Sequence, residues 1–167
     1  MNKKGISGCC IILLIFIGLY IIGSLIGINN EEYEEVIIKE SNFKDIIEIN
    51  SNSIRFDSIK YVKKMNIYPY TPNEKYKIVE LNTTLENLGI QSSAYPIINS
   101  DLSLKVDKGY IYNAKGRVKT RGTTLPEDKE KLIFYFEILE DTYPTELIID
   151  TYFEYPRIIH ITEEDLR

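Results

Sequence analysis

The chain has 167 residues, with 20 Lys and Arg against 25 Asp and Glu, one His, two Cys, no Trp and 13 Tyr. Its length allows one ordinary domain. A net charge of −5 and a pI near 5.1 exclude the basic footprint with which proteins displace counterions from phosphates, so no nucleic-acid partner is expected.

No charged residue lies between Lys4 and Glu31, and residues 6–28 are almost wholly Ile, Leu, Phe, Gly, Cys and Tyr. At a rise of 1.5 Å per residue, a helix over this run reaches about 35 Å, enough to cross a hydrocarbon core of roughly 30 Å. Lys3 and Lys4 precede the run and Glu31, Glu32, Glu34 and Glu35 follow it, which puts the N-terminus in the cytoplasm and the rest outside. The run is longer than the apolar part of a secretory signal, and its small residues Gly23, Ser24 and Gly27 lie inside it, so an uncleaved anchor is expected. Ile6, Ser7, Gly8 and Cys9 mimic a lipoprotein cleavage box, but the apolar run follows the cysteine where it should precede it. Cys9 and Cys10 read as packing residues on the reducing side, with acylation or redox chemistry as the alternative. Gly23 and Gly27 have the spacing of a close helix–helix contact and make a candidate homodimer face.

After the anchor the chain carries 18 basic and 25 acidic residues, a net of −7. Residues 29–44 are acidic and lack a sustained period, as a stalk would, with a small strand at Val36 to Ile38. Strand patterning then sets in. Ile54 and Phe56 alternate with Arg55 and Asp57, and the apolar phase slips to Ile59 and Tyr61, as a bulge or a crossing between sheets requires. Val79, Leu81, Thr83 and Leu85 define a strand with one wet face, and the polar stretch from Asn87 to Ser93 has room for a single helical turn. Leu102, Leu104 and Val106 lead through Asp107, Lys108 and Gly109 to Tyr110, Ile111 and Tyr112, a hairpin signal. Leu132, Phe134, Phe136 and Ile138 share one face of a central strand, with Ile133, Tyr135 and Glu137 on the other. Leu147, Ile149, Thr151 and Phe153 make a last alternating set before Pro156.

These strands predict an all-β fold, a sandwich stable without disulfide or metal. The expected organisation is residues 1–5 as cytoplasmic N-terminus, 6–28 as transmembrane helix, 29–44 as stalk, 45–155 as immunoglobulin-like β-sandwich and 156–167 as C-terminal strand or tail.

From about Ile46 to Asp150 the order of features resembles a bacterial and archaeal family of extracytoplasmic domains of unknown function, with a telokin-like or immunoprotection immunoglobulin-like fold. The stretch Lys75, Tyr76, Ile78, Val79, Leu81, Leu85, Glu86, Asn87, Gly89 matches its long strand ending in Asn and a turn. Leu102 to Tyr112 matches its alternation around a turn, and Leu125, Pro126, Glu127, Leu132, Phe134, Phe136, Leu147, Ile149 match its closing strands. Glu127 and Asp128 stand where the family has Gly after the proline turn. The resemblance implies a sandwich hung from a membrane helix or lipid, and brings no catalytic residues.

A nucleophile–base site needs two partners, and the outer part offers His160 alone and no thiol; zinc would need more ligands than exist there. Asp101, Ser103, Asp107 and the Gly109 carbonyl come nearest to an oxygen cluster, but an extended strand puts about 17 Å between the two carboxylates, so they read as hairpin caps. No cofactor or metal is expected. Lys115, Arg117, Lys119 and Arg121 recur at every second residue and would share a face of an extended segment, a candidate site for an anionic partner or else a solvated edge that discourages sheet pairing. Tyr68 and Tyr70, in Tyr-Pro-Tyr-Thr-Pro, with Tyr110 and Tyr112, make a candidate aromatic contact surface, to which Tyr152 and Tyr155 add further rings. Asn82, Thr83 and Thr84 spell a glycosylation triplet inside a predicted strand.

The expected function is that of a membrane-anchored, extracytoplasmic, noncatalytic binding module for a protein or envelope polymer. An accessory subunit acting through its membrane helix, and a carboxylate-dependent envelope hydrolase, are the alternatives.

Overall fold

A computed structural model describes residues 37–66, 71–116, 118 and 122–166. The expected transmembrane helix 6–28 with Gly23 and Gly27, the cytoplasmic residues 1–5, Cys9 and Cys10, and stalk residues 29–36 lie outside them. Among the described residues no helix is long and apolar enough to cross a membrane.

In chain order the strands are β1 (Lys39–Asn42), β2 (Ile46–Ile49), β3 (Asn52–Val62), β4 (Tyr76–Asn87), β5 (Ser93–Ala94) and β6 (Leu102–Val106). Then come β7 (Ile111–Asn113), β8 (Lys115–Gly116), β9 (Thr123–Thr124), β10 (Lys129–Leu139), β11 (Pro144–Ile149) and β12 (Arg157–His160). One sheet has the order β1-β12-β11-β6-β7 and the other β2-β3-β4-β10-β8, while β5 and β9 pair separately. Apolar residues from both five-stranded sheets meet in one core, Ile54, Phe56, Leu81 and Phe136 from one side and Leu104, Leu147 and Ile159 from the other. This is a β-sandwich.

The long strands follow their sequence pattern. Val79, Leu81, Thr83 and Leu85 are buried along β4, as are Leu132, Phe134, Phe136 and Ile138 along β10, and β10 lies inside its sheet between β4 and β8. The phase slip in β3 is a bulge: the register with β4 shifts between Phe56 and Ser58, so the buried set changes from Ile54 and Phe56 to Ile59. Tyr61, expected inward, stays exposed, with the Lys77 ammonium 4.5 Å from its ring centre.

Three features depart from the expected layout. Residues 39–42, within the expected stalk, form β1, which pairs in parallel with β12 from Lys39↔Arg157 to Asn42↔His160, and Phe43 enters the core. The outer face of the β4–β10 pair carries a second apolar cluster, where Met65 packs on Ile78 and Tyr135. The last alternating set ends at Ile149, and Thr151 and Phe153 belong to the loop before β12. There the Thr151 hydroxyl accepts from the Phe153 N–H at 2.9 Å, a local bond that competes with strand pairing.

At Leu125 to Asp128, the Asp128 N–H donates to the Leu125 carbonyl at 3.3 Å and Glu127 has φ +62°. Proline followed by a left-handed residue makes a type II turn, whose third position favours glycine. Glu127 therefore holds a conformation that the resembling family meets with Gly.

Candidate functional site

One end of the sandwich is built from the β2–β3 turn, the β4–β5 loop and the β11–β12 loop. Asn50 and Ser51, at φ 49° and 59°, form the two-residue turn that suits twisted hairpins. Behind it lies a polar knot. The fully buried Asn52 donates its amide to the Asn50 carbonyl at 2.8 Å and the Ser93 hydroxyl at 2.9 Å, and accepts from the Thr124 hydroxyl at 3.0 Å. Asn87 donates to the Gln91 and Thr124 carbonyls at 2.9 and 3.1 Å and accepts from the Gly89 N–H at 2.8 Å. These bonds fix the β4–β5 loop and the β5–β9 pair to the hairpin, because each buried amide finds its partners only in this arrangement.

Two open clefts meet over this scaffold. The first, about 560 Å³, is lined by Asn50, Ser51, Gly89, Ile90, Ser93 and Phe153 among others. The second, about 550 Å³, is lined by Lys39, Tyr152, Phe153, Glu154, Tyr155 and Pro156. Phe153 belongs to both. Ile90 is 94% exposed, Tyr152 90% and Tyr155 56%. The Tyr152 and Phe153 rings meet edge to face at 5.9 Å.

Glu154 pins the floor of the second cleft. It receives the Arg157 guanidinium at 3.1 and 3.3 Å and pairs with Lys39, while Arg157 also donates to the Ser41 hydroxyl at 2.9 Å. Burial pushes the Glu154 carboxyl up, but hydrogen bonds from Arg157 and Lys39 outweigh it and leave it below the usual carboxylate range. The site thus presents exposed apolar side chains on a fixed polar base. It can bury apolar area against a partner.

The residues singled out in the sequence fall elsewhere. Lys115 sits on edge strand β8 and donates to Glu137 at 2.6 Å. Core-facing Ala114, Gly116 and Val118 set its outward phase, and a Cβ on Gly116 would meet the Asn99 amide oxygen at 2.8 Å. Arg117, Lys119 and Arg121 lie outside the described residues, as do Tyr68 and Tyr70. Tyr110 is exposed on the β6–β7 turn, at the opposite end from the clefts, and Tyr112 is half-buried against the core.

Asp101 accepts from the Ile98 N–H at 3.0 Å, fixing its own backbone turn, and Asp107 accepts from the Tyr143 N–H at 3.0 Å, tying the β6–β7 turn to the β10–β11 turn. Asn82 donates to Ser58 and to Glu80, at 3.1 and 3.0 Å. His160 is exposed beside Glu40, at 3.6 Å. Among the described residues no group of three or more His, Cys, Asp or Glu could hold a metal.

Sequence reasoning missed Ile90, Phe153 and the Asn52, Asn87 and Thr124 knot. Asn-Ser between two short apolar runs was the available turn signal, whereas nothing local announces that a loop isoleucine stays exposed.

Neither a protein-family model nor a curated protein matches the sequence. Solved structures match its fold. The fold is similar to MPT63, a secreted protein of Mycobacterium tuberculosis, with 11% identity and a TM-score of 0.56 over 76% of this chain and 100% of that one. It is similar to an uncharacterized β-sandwich protein of Clostridium difficile, at 14% identity and a TM-score of 0.52, covering 80% of this chain and 100% of that one. A candidate lipoprotein of Bacillus subtilis, ycdA, aligns at 12% identity and a TM-score of 0.52 over 75% of this chain and 40% of that one. Identities this low show the shared β-sandwich alone.

Proposed function

We propose that the chain is a membrane-anchored, extracytoplasmic, noncatalytic binding module whose contact surface is the end carrying Ile90, Tyr152, Phe153 and Tyr155. The observation that carries the reading is the pair of clefts joined at Phe153, with exposed apolar side chains over a hydrogen-bonded base. The apolar run 6–28, with lysines before it and glutamates after it, supports the anchor and its direction. That MPT63 is a secreted protein agrees with an extracytoplasmic sandwich. The order of features from Ile46 to Asp150 supports kinship with the telokin-like, immunoglobulin-like family.

Four described carboxylates are held in their ionised form by their partners. Burial pushes Asp57, Glu80 and Glu154 up, yet their hydrogen bonds bring each below its ordinary value, and Lys108 holds Asp141 low as well.

The test is a photo-crosslinking residue at position 152 of the full chain in intact cells, combined with external protease. Digestion after Glu31 and an adduct from position 152, absent from a matched probe at exposed Glu48, are the expected results. Complete protection from protease, or no adduct from position 152, overturns the reading.

A further inference from the structure

We infer that the partner of the aromatic end is the lipid–water boundary of the membrane that carries the chain, so that the sandwich rests on the bilayer by this end. The inference rests on the anchored reading above and names the partner of the same surface.

The first observation is where the chain enters the fold. The β1 strand begins beside the second cleft: the Lys39 N–H donates to the Pro156 carbonyl at 3.0 Å, and Lys39 itself lines that cleft. Ile37 and Ile38, just upstream, are exposed. In the sequence, eight residues (29–36) separate the end of the apolar run at Ile28 from Ile37. At full extension such a segment reaches about 30 Å, a short tether. A tether of that length holds the attached surface at a local concentration in the millimolar range relative to the membrane, so weak contacts suffice to keep it seated.

The second observation is chemical. Ile37, Ile38, Ile90, Tyr152 and Tyr155 are exposed at this end. Tyrosine, with an apolar ring and a polar tip, is the side chain enriched at headgroup depth, and aliphatic neighbours reach just below it. The charges of the second cleft face one another: Glu154 takes Arg157 and Lys39, which leaves the rings as the surface on offer. At the opposite end, exposed Tyr110, Ile111 and Tyr143 stand among Asp107, Lys108, Glu140 and Asp141, far from the point where the chain enters the fold.

Charge also selects the lipid. Glu127, Asp128 and Asp150 are exposed at the seated end, and the chain after the anchor has a net charge of −7. An anionic surface would repel it, so attraction comes from apolar contact with a zwitterionic headgroup region and is indifferent to salt.

The absence of Trp from the whole chain makes the test clean. Full chains carrying Tyr152→Trp or Tyr110→Trp are reconstituted into phosphatidylcholine vesicles containing a lipid spin-labelled near its headgroup. Emission from position 152 should fall about twofold, emission from position 110 should hardly change, and salt should alter neither. Ile90→Asp, at an exposed position that leaves the core untouched, should restore the emission at 152. Chains that fail to float with vesicles reject the anchored reading itself. Chains that float but show no quenching at 152, equal quenching at both positions, or shielding of 152 from aqueous acrylamide without lipid quenching, overturn this inference alone.

Discussion

Asn52→Ala should loosen the aromatic end at a cost that the hydrogen bonds around it allow to be worked out. The side chain is fully buried and makes three good bonds, to the Asn50 carbonyl, the Ser93 hydroxyl and the Thr124 hydroxyl, at 2.8, 2.9 and 3.0 Å. Its partners are cushioned. The Asn50 carbonyl still accepts from Ser93 at 2.7 Å, and the Thr124 hydroxyl can still donate to the Ser93 carbonyl at 3.2 Å. The loss is therefore close to the net value of three bonds, about 1 kcal/mol each, with little added for stranded groups, which gives about 3 kcal/mol. For a body of this size 1 kcal/mol corresponds to roughly 3 to 5 °C in Tm, so a fall of about 10 °C is expected. The assay is thermal unfolding of the full chain in detergent, followed by near-ultraviolet circular dichroism of its tyrosines. Asn52→Asp supplies the sign check: its carboxylate would be buried against two oxygen acceptors, so that variant should be worse at neutral pH and recover on acidification. A fall below about 3 °C for Asn52→Ala would refute the view that this knot holds the clefts in shape.

Glu127→Gly should raise stability by up to about 1 kcal/mol, because glycine adopts the left-handed conformation freely and gives back part of the gain as unfolded-state entropy. A loss of stability in urea titration would show that the Glu127 side chain contributes something the turn geometry does not reveal. Acid should weaken the floor of the second cleft. Glu154 has a folded pKa below its ordinary value, so its contribution is complete above the unfolded value of about 4.3 and is lost as pH falls through the folded one. The gap in Tm between the native chain and Glu154→Gln should accordingly be widest near neutrality and close on acidification, and a gap that widens in acid contradicts the pairing.

Much of the sandwich is written in period-two alternation. Residues 79–85 and 132–138 announce their buried faces because each β4 and β10 residue faces one side only. The β3 bulge was legible for the same reason: an inserted residue reverses the phase, and the apolar pattern records the reversal. β1 was not, since Lys39–Asn42 has no apolar alternation and is held by main-chain pairing and by the Glu154 and Arg157 side chains more than a hundred residues away. Met65 is similar. It reads as a lone residue in a polar stretch, and only the fold places it on Ile78 and Tyr135. The tyrosines at 152 and 155 were visible as amphipathic rings, but their union with Ile90 joins loops some sixty residues apart.

The parallel union of β1 with β12 carries a mechanical consequence. β1 is an edge strand whose one strand partner is β12, matched residue by residue from Lys39↔Arg157 to Asn42↔His160. Because the two strands run the same way, a pull on the chain before Ile37 and an opposing pull after His160 act along the strands in opposite directions. Such a load shears the ladder: every inter-strand bond is stretched at once, and the Lys39–Glu154 and Arg157–Ser41 links share the strain. A hairpin pulled at its open end gives way one bond at a time. Tugged between a tether at one end and anything gripping its tail at the other, this sandwich would instead hold until the whole seam failed together.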